Sequence, residues 1–259
     1  MRDFTLNKFT ELCNIINDEG YNTYSISDYL KKEIQVKLPF VIVRHDVDID
    51  LPLAVQMSNI EKGLGIKSTY YIRINGNKHL SDFNKLKKIA SNGHEIGYHY
   101  EVIDKAYGDS RKAVKFFKED LSYLRSQFSV STVCMHGNPR TKWDNKQVLK
   151  YLDFDDLNII GEAYKSINFK EVLYLSDTSR TWSPKYKVKD NPSEKTFQEK
   201  TNLIKSTDSL IGLIKSQKIK KLYLNTHPIW FNSKYKWCRH LILQNAKNIV
   251  KRILIKSSN

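Results

Sequence analysis

The segment "VIVRHDVDID", residues 41–50, joins an apolar run to a dense group of charged and polar residues. These residues are Arg44, His45, Asp46, Asp48 and Asp50. The apolar run is typical of a strand covered on both faces, and burying charges is costly unless they are paired, hydrogen-bonded or bound to a metal. The end of this strand is therefore a candidate site for ion pairing or metal binding.

Polar residues also follow four further predicted strands. They are His99 and Glu101 after residues 94–98, His136 after 132–135, Asp177 after 172–175 and His227 after 221–225. An aspartate that follows a strand usually caps the next helix, and a single histidine is more often structural than a ligand. Functional groups, however, collect where the strands of an α/β sheet or barrel end. Five such strand ends therefore favour one common site over five separate structural roles.

The elements that position these residues are indicated by strand and helix patterns that alternate from Val41 to Leu152. Such alternation is typical of βαβ units, and hence of a parallel sheet or barrel. We therefore expect an α/β fold, with a polar surface loop at residues 183–208. The expected organisation is a single domain over residues 1–259, with an N-terminal helical extension at 1–38, a motif-bearing core at 41–228 and a closing C-terminal helix at 240–257.

The predicted C-terminal helix carries an apolar stripe surrounded by lysines and arginines. Ile242, Ala246, Ile249 and Ile253 recur at three- and four-residue spacing, which is typical of a helix packed on a core. The basic residues also fit a helix that lies on anionic lipid. We expect the helix to close the domain, because burying each aliphatic side chain contributes roughly 1.5 to 3 kcal/mol.

The composition argues against several classes of function. The formal net charge is +15, but the lysines are scattered through nearly every segment, whereas nucleic-acid binding predicts a clustered basic face. The N-terminal segment "MRDFTLNKFTELCNIINDEG" has no secretory apolar run, and no stretch approaches the ~18 to 20 residues of a membrane span. Cys13, Cys134 and Cys238 are too far apart to indicate a disulfide framework or a zinc ribbon. We expect a cytoplasmic protein without a nucleic-acid partner.

The motifs at the strand ends resemble, in order, those of the polysaccharide deacetylases, the NodB-homology domains of carbohydrate esterase family 4. The matching segments are "RHDVD", "GHEIGYH", "HGNP", "SDTSRTW" and "LYLNTHP", which together span Val41 to Pro228. The resemblance implies a distorted single-domain (β/α) barrel of the NodB type. It also implies a deacetylase that acts on an N-acetylated carbohydrate with the help of a divalent metal such as zinc.

The resemblance also implies roles for individual residues. Asp46 would be the catalytic base and His227 the catalytic acid, while Asp48 and His99 would bind the metal. The implied substrate-binding residues are Arg44, His136, Asp177 and Trp182. Arg44 could also hold a carboxylate in its ionised form, and Trp182 would offer an apolar wall to the acetyl methyl or the sugar face.

The sequence departs from the family at the second metal-binding histidine. Ile103 fills that slot and cannot bind a metal, whereas catalytic zinc usually has three protein ligands. The candidates for the third ligand are Glu101, Asp104, His45 and His136, of which Glu101 is favoured.

Other functions stay open beside the leading hypothesis of an N-acetyl-sugar deacetylase. Its expected substrate is an intracellular precursor of a surface polysaccharide. The missing histidine also fits a carbohydrate-binding protein on a catalytically decayed scaffold, or a metal-independent C–N hydrolase of the same fold. The charge and the basic C-terminal helix also fit a protein that binds a polyanion or a membrane surface.

Overall fold

A curled parallel sheet with flanking helices forms the core of the protein. The structure, a computed structural model, describes residues 2–31, 35–74, 82–138, 141–183, 201, 203–232, 238–239 and 241–245. The strands described are β1 (Asn22–Tyr24), β2 (Phe40–Val47), β3 (Thr69–Arg73), β4 (Glu95–Tyr100), β5 (Thr132–Met135), β6 (Gly161–Glu162), β7 (Leu173–Ser176) and β8 (Lys221–Thr226).

The strand order is β6-β5-β4-β3-β2-β8-β7, and every neighbouring pair is parallel. β1 pairs with the first half of β2 (Asn22 opposite Phe40), and β3 pairs with the second half (Arg44 opposite Thr69). Within the described residues no ladder joins β6 to β7, so the sheet curls without closing. The predicted α/β fold, a distorted (β/α) barrel, is confirmed.

Seven α-helices have both ends within the described residues. They are α1 (Leu6–Asp18), α2 (Ile26–Leu30), α3 (Leu51–Gly63), α4 (Phe83–Ser91), α5 (Val102–Lys105), α6 (Ser110–Arg125) and α7 (Thr207–Lys215). A polar side chain caps the N-terminus of each except α5. The Asp50 side chain caps α3 by accepting from the Leu53 backbone N–H at 3.3 Å. The segments Asn145–Tyr151 and Pro228–Trp230 are 3₁₀ helices.

The two faces of the sheet pack differently because successive strand residues point to opposite sides. Val43 and Leu224 point outward, into a cluster that includes residues of α1 and α7. Ile42, Tyr71 and Tyr223 point inward, into a separate cluster inside the curl. The interior is therefore filled by side chains of the strands together with residues of α2 and of the segment between β6 and β7, and its polar members gather at one end.

Two predictions about the N-terminal half need correction. The expected helical extension at 1–38 also contributes a strand, because β1 pairs with β2; three residues are too few to show a strand period. The first motif strand was predicted to end at Arg44, but β2 continues to Val47. Asp46 consequently lies within the sheet, where strand alternation fixes the direction of its side chain.

The predicted C-terminal helix falls mostly outside the described residues. Residues 241–245 are helical, while Ala246 and the rest of the apolar stripe are not described. Ile242 and Leu243 are exposed, so at its start the stripe does not lie against the core. Most of the expected loop at 183–208 is likewise outside the described residues. Among the described helices, none combines the length and the apolar character needed to cross a membrane.

Gly97 in β4 makes room for the interior cluster. A Cβ at this position would overlap the aromatic ring of Tyr71, which is fully buried inside the curl. By contrast, a Cβ on the exposed Gly212 of α7 would meet no atom within 4 Å.

We therefore expect Gly97→Ala to lower the free energy of unfolding by about 1 to 3 kcal/mol, since overpacking displaces a buried ring. Gly212→Ala is the matched control and should raise it by about 0.5 to 1 kcal/mol, because alanine favours a helix interior. Urea unfolding followed by circular dichroism measures both. An unchanged unfolding midpoint for Gly97→Ala would contradict the packing described here.

Candidate active site

The interior polar side chains meet at the C-terminal ends of β2, β4, β5 and β8. Asp46 Oδ2 lies 3.7 Å from Nε2 of His227 and 3.9 Å from Nε2 of His99. Asp48 Oδ1 lies 3.5 Å from Nε2 of His99 and 3.4 Å from Nε2 of His136. The structure thus brings together the predicted base, the predicted acid and both predicted metal ligands, with His136 beside them.

Asp46 is buried, and its carboxylate accepts three hydrogen bonds from two residues. Arg44 donates to its two oxygens from Nε at 2.7 Å and Nη2 at 2.6 Å, and Asn225 Nδ2 donates at 3.1 Å. Burial raises the pKa of Asp46, but the charges of Arg44, His99 and His227 outweigh it and hold this pKa far below its ordinary value. The carboxylate is therefore ionised at neutral pH, and its orientation is set by a two-point contact.

Arg44 lies behind Asp46, away from any substrate. Its guanidinium is completely buried; it donates to the hydroxyls of Tyr223 at 3.3 Å and Tyr164 at 3.1 Å, and its Cζ lies 4.5 Å from the centroid of the Tyr164 ring. This geometry is at odds with its prediction as a substrate-binding residue. It fits the other predicted role, which is to keep a carboxylate ionised by charge pairing.

His227 is oriented by Asp177. The Asp177 carboxylate accepts from the His227 backbone N–H at 2.9 Å, and its Oδ1 lies 2.5 Å from Nδ1 of the ring. Burial alone would lower the pKa of His227, but the charge and hydrogen bond of Asp177, with the charges of Asp46 and Asp48, raise it to about 9. His227 is therefore an imidazolium at neutral pH, with Nε2–H directed at Asp46. Asp177 itself is fully buried, so it positions His227 instead of contacting substrate as predicted.

Asp48, His99 and His136 form the group best suited to hold a cation. Their ligand atoms lie within 4.8 Å of one another. Asp48 Oδ1 is buried and has no hydrogen-bond partner among the described residues, although two imidazole nitrogens flank it. A cation held by one carboxylate and two imidazoles would satisfy this oxygen, and such a set suits zinc. The residues present therefore fit a metal of the predicted kind.

The two imidazoles are prepared to bind through Nε2. His99 Nδ1 lies 3.1 Å from the Cys134 carbonyl oxygen, which can only accept, so Nδ1 carries the proton. Burial lowers the pKa of His99 to about 4 despite the charges of Asp46 and Asp48, so the ring is neutral at pH 7. Burial alone would lower the pKa of His136. The charge of Asp48 and a hydrogen bond to Glu101 outweigh burial, so this pKa lies above its ordinary value.

The other candidates for the third ligand are placed elsewhere. Glu101, which was favoured, turns away from Asp48 and contacts His136 Nδ1 at 3.0 Å and Arg73. Asp104 accepts from Asn145 Nδ2 at 2.9 Å and does not join the group. Ile103, in the slot of the missing histidine, is buried in a second outer cluster, which residues of α3, α4 and α6 form against the outer face of the sheet.

His45, the remaining candidate ligand, points to the outer face of β2. Its Nε2 lies 2.7 Å from Glu61 Oε1 of α3, and its Nδ1 lies 2.6 Å from Thr226 Oγ1 of β8. Glu61 also accepts from the hydroxyls of Ser68 and Tyr70. Because His45 and Asp46 are adjacent in a strand, only one of them can face the site.

Trp182 was predicted to form an apolar wall for the substrate, and the structure corrects this prediction. Its side chain is fully buried in the outer cluster, stacked on Phe4 with ring centroids 6.0 Å apart. Its Nε1 donates to Thr207 Oγ1 at 2.9 Å. The indole therefore supports the fold beside α1 and α7, and it offers no face to a substrate.

Sequence reasoning missed Asn225 as a site residue. It precedes His227 by two positions, so the strand period alone directs both side chains to the same face. Arg73 and Asn138, which contact Glu101, were also missed; their contacts depend on how neighbouring strands are paired.

We expect Asp177→Asn to lower the pKa of His227 from about 9 towards the ordinary range of histidine. The negative charge of Asp177 favours the imidazolium, so its removal favours the neutral ring. An NMR titration of the His227 ring proton measures the change, and Asp50→Asn, which removes a capping carboxylate, is the control. A pKa that stays at about 9 in Asp177→Asn would contradict this assignment.

No protein-family model and no curated protein matches the chain. Similar solved structures include a CE4 family pseudoenzyme from Bacillus anthracis (12% identity, TM-score 0.44), a peptidoglycan deacetylase from Bdellovibrio bacteriovorus (12%, 0.41) and the peptidoglycan deacetylase PdaC from Bacillus subtilis in a mutant form (10%, 0.39). The matches cover 82%, 88% and 83% of this chain, and 61%, 56% and 98% of the matched chains. The chain thus resembles carbohydrate esterase family 4 in its motifs, and deacetylases and a CE4 pseudoenzyme are among the structures similar to its own.

Proposed function

We propose that the protein is a hydrolase that removes an N-acetyl group from a sugar by metal-assisted attack of water. The observation that carries this proposal is the pairing of Asp46 with His227. An ionised carboxylate and an imidazolium face each other at 3.7 Å, beside three groups suited to hold a cation. Amide hydrolysis needs a base for the attacking water and an acid for the departing amine, and this pair supplies both.

Asp46 is the base in this proposal. The carboxylate accepts hydrogen bonds from Arg44 and Asn225, and these hold it in one orientation. Because its pKa is far below the ordinary value, Asp46 on its own is a weak base. It therefore needs a water that has been made more acidic.

Asp48, His99 and His136 are the residues that would hold the metal. A divalent cation such as zinc, when bound, lowers the pKa of water and polarises a carbonyl. The neutral His99 offers its Nε2 lone pair, and the orphaned oxygen of Asp48 offers a negative charge.

His227 is the acid. Asp177 holds Nδ1, so Nε2–H is the proton that can reach the leaving nitrogen. The products are acetate and a free amine. After the reaction the proton that Asp46 has taken from water can return to His227 across the 3.7 Å between Oδ2 and Nε2, which restores both groups.

The test is release of acetate from a panel of N-acetylated sugars by protein loaded with zinc. Removing the metal with a chelator should abolish the release, and adding zinc should restore it. Activity that survives chelation would favour a metal-independent C–N hydrolase. Sugar binding without any release of acetate would favour a carbohydrate-binding protein and overturn the proposal.

We expect Asp46→Asn to lower acetate release by about 10²-fold or more, because the amide keeps the shape but cannot take a proton. Asp50→Asn removes a carboxylate four positions away that caps α3, so it should leave the rate nearly unchanged. Steady-state kinetics on the best substrate of the panel compares the two variants. Equal rates for Asp46→Asn and the unchanged protein would exclude Asp46 as the base.

A further inference from the structure

We infer that Glu101 is a positioning carboxylate that makes His136 the third ligand of the metal centre. In this arrangement Arg73 and Asn138 hold Glu101, and Glu101 holds the His136 ring with Nε2 towards Asp48. The inference rests on the proposed function, and it names residues of this chain that complete the metal centre where Ile103 leaves the usual position without a ligand.

Both oxygens of Glu101 are engaged. Oε1 accepts from His136 Nδ1 at 3.0 Å and from Asn138 Nδ2 at 3.1 Å, and Oε2 pairs with Arg73 Nη2. The side chain of Glu101 is only 12% exposed. Glu101 could not turn towards a cation beside Asp48 without breaking these contacts, so its place is behind a ligand.

The contact with Glu101 determines which nitrogen of His136 is available. A carboxylate accepts, so Nδ1 carries a proton, and Nε2 is the nitrogen left to bind. That Nε2 lies 3.4 Å from the orphaned Asp48 Oδ1. Metal-binding histidines commonly donate their other N–H to a carboxylate, which fixes the tautomer and the orientation of the ring.

The backbone at His136 is fixed independently of its side chain. The His136 N–H donates to the Tyr100 carbonyl at 2.8 Å, and Asn145 Nδ2 donates to the His136 carbonyl at 3.1 Å. The rotation of the side chain is the remaining freedom, and Glu101 restricts it. The groups involved come from the ends of three adjacent strands: β3 supplies Arg73, Glu101 follows β4, and His136 follows β5.

Arg73 compensates the negative charge of Glu101. A partly buried carboxylate behind a ligand is costly unless a cation compensates it. Arg73 is paired with Glu101, and this pairing favours the ionised form of the Glu101 carboxylate. A side chain at position 103 could not take the place of His136, because Ile103 points into the second outer cluster.

The experiment measures the dissociation constant of Zn²⁺ by competition with a chromophoric chelator, using the full chain freed of metal. Glu101→Ala should bind Zn²⁺ about 10- to 100-fold more weakly, and Glu101→Gln should also bind it more weakly, because the carboxylate charge is lost. His136→Ala should lose at least as much affinity as Glu101→Ala. Glu119→Gln, which removes an exposed carboxylate of α6, is the control and should match the unchanged protein.

A second measurement separates positioning from general destabilisation. In protein labelled with ¹⁵N-histidine and loaded with Zn²⁺, His136 should show a protonated Nδ1 and a metal-bound Nε2. In Glu101→Ala this pattern should be lost at His136 and kept at His99, whose Nδ1 donates to a backbone carbonyl. If circular dichroism shows that the Glu101 variants do not fold, Asn138→Ala carries the test, and it should weaken Zn²⁺ binding by a smaller factor than His136→Ala.

The outcomes distinguish this inference from the proposed function. Loss of Zn²⁺ in His136→Ala, with unchanged affinity and ¹⁵N pattern in the folded Glu101 variants, would overturn the inference alone. Unchanged affinity in Asn138→Ala would overturn it where the Glu101 variants do not fold. Equal Zn²⁺ affinity in His136→Ala and the unchanged protein would overturn both the inference and the metal centre of the proposed function.

Discussion

The buried pair of Arg44 and Asp46 is the interaction on which the rest of the site depends. Moving two charges out of water is costly, and their attraction offsets the cost only when geometry is good and the remaining donors are satisfied. Both conditions are met, since the contact is two-pronged and Tyr223 and Tyr164 take further guanidinium N–H groups. Removing one partner would leave the other charge buried and unpaired, which would lower the free energy of unfolding by about 3 to 5 kcal/mol.

This pair also explains how β2 can carry polar side chains on both of its faces. Arg44 and Asp46 face inward, and the intervening His45 faces outward to Glu61 and Thr226. The outward network ties β2 to α3 and β8, and the inward one sets the orientation of the Asp46 carboxylate. The two networks lie on opposite faces of β2. Together they stabilise the end of β2, where its pairing with β8 places Asp46 close to His227.

Asp46 and Asp48 lie in different environments, and so do His99 and His227. Residues of the same type are therefore suited to different chemical roles. Asp46 is locked by Arg44, whereas one oxygen of Asp48 has no hydrogen-bond partner among the described residues. Burial lowers the pKa of His99 to about 4, and carboxylates raise that of His227 to about 9. Two carboxylates and two histidines within one small region thereby differ in the way that the proposed base, acid and cation-binding groups require.

The fold class and the gathering of polar groups at one rim can be predicted from the sequence. Alternating apolar patterns predict parallel strands, and parallel strands place Asp46, His99, His136 and His227 at one rim. The periodicity of β2 also separates His45 from Asp46. These inferences succeed because they depend on local patterns and on chain direction, both of which can be read from one sequence.

The contacts between individual side chains could not be predicted from the sequence. Glu101, His136 and Asp177 are all polar residues after strands, and sequence could not distinguish a ligand from a residue that orients one. That distinction depends on the pairing of β4 with β5 and of β7 with β8, which sets the distances between side chains far apart in the chain. Trp182 was misplaced for the same reason: its motif fixes its position in the chain, but the packing of Phe4 and Thr207 around it determines that it is buried.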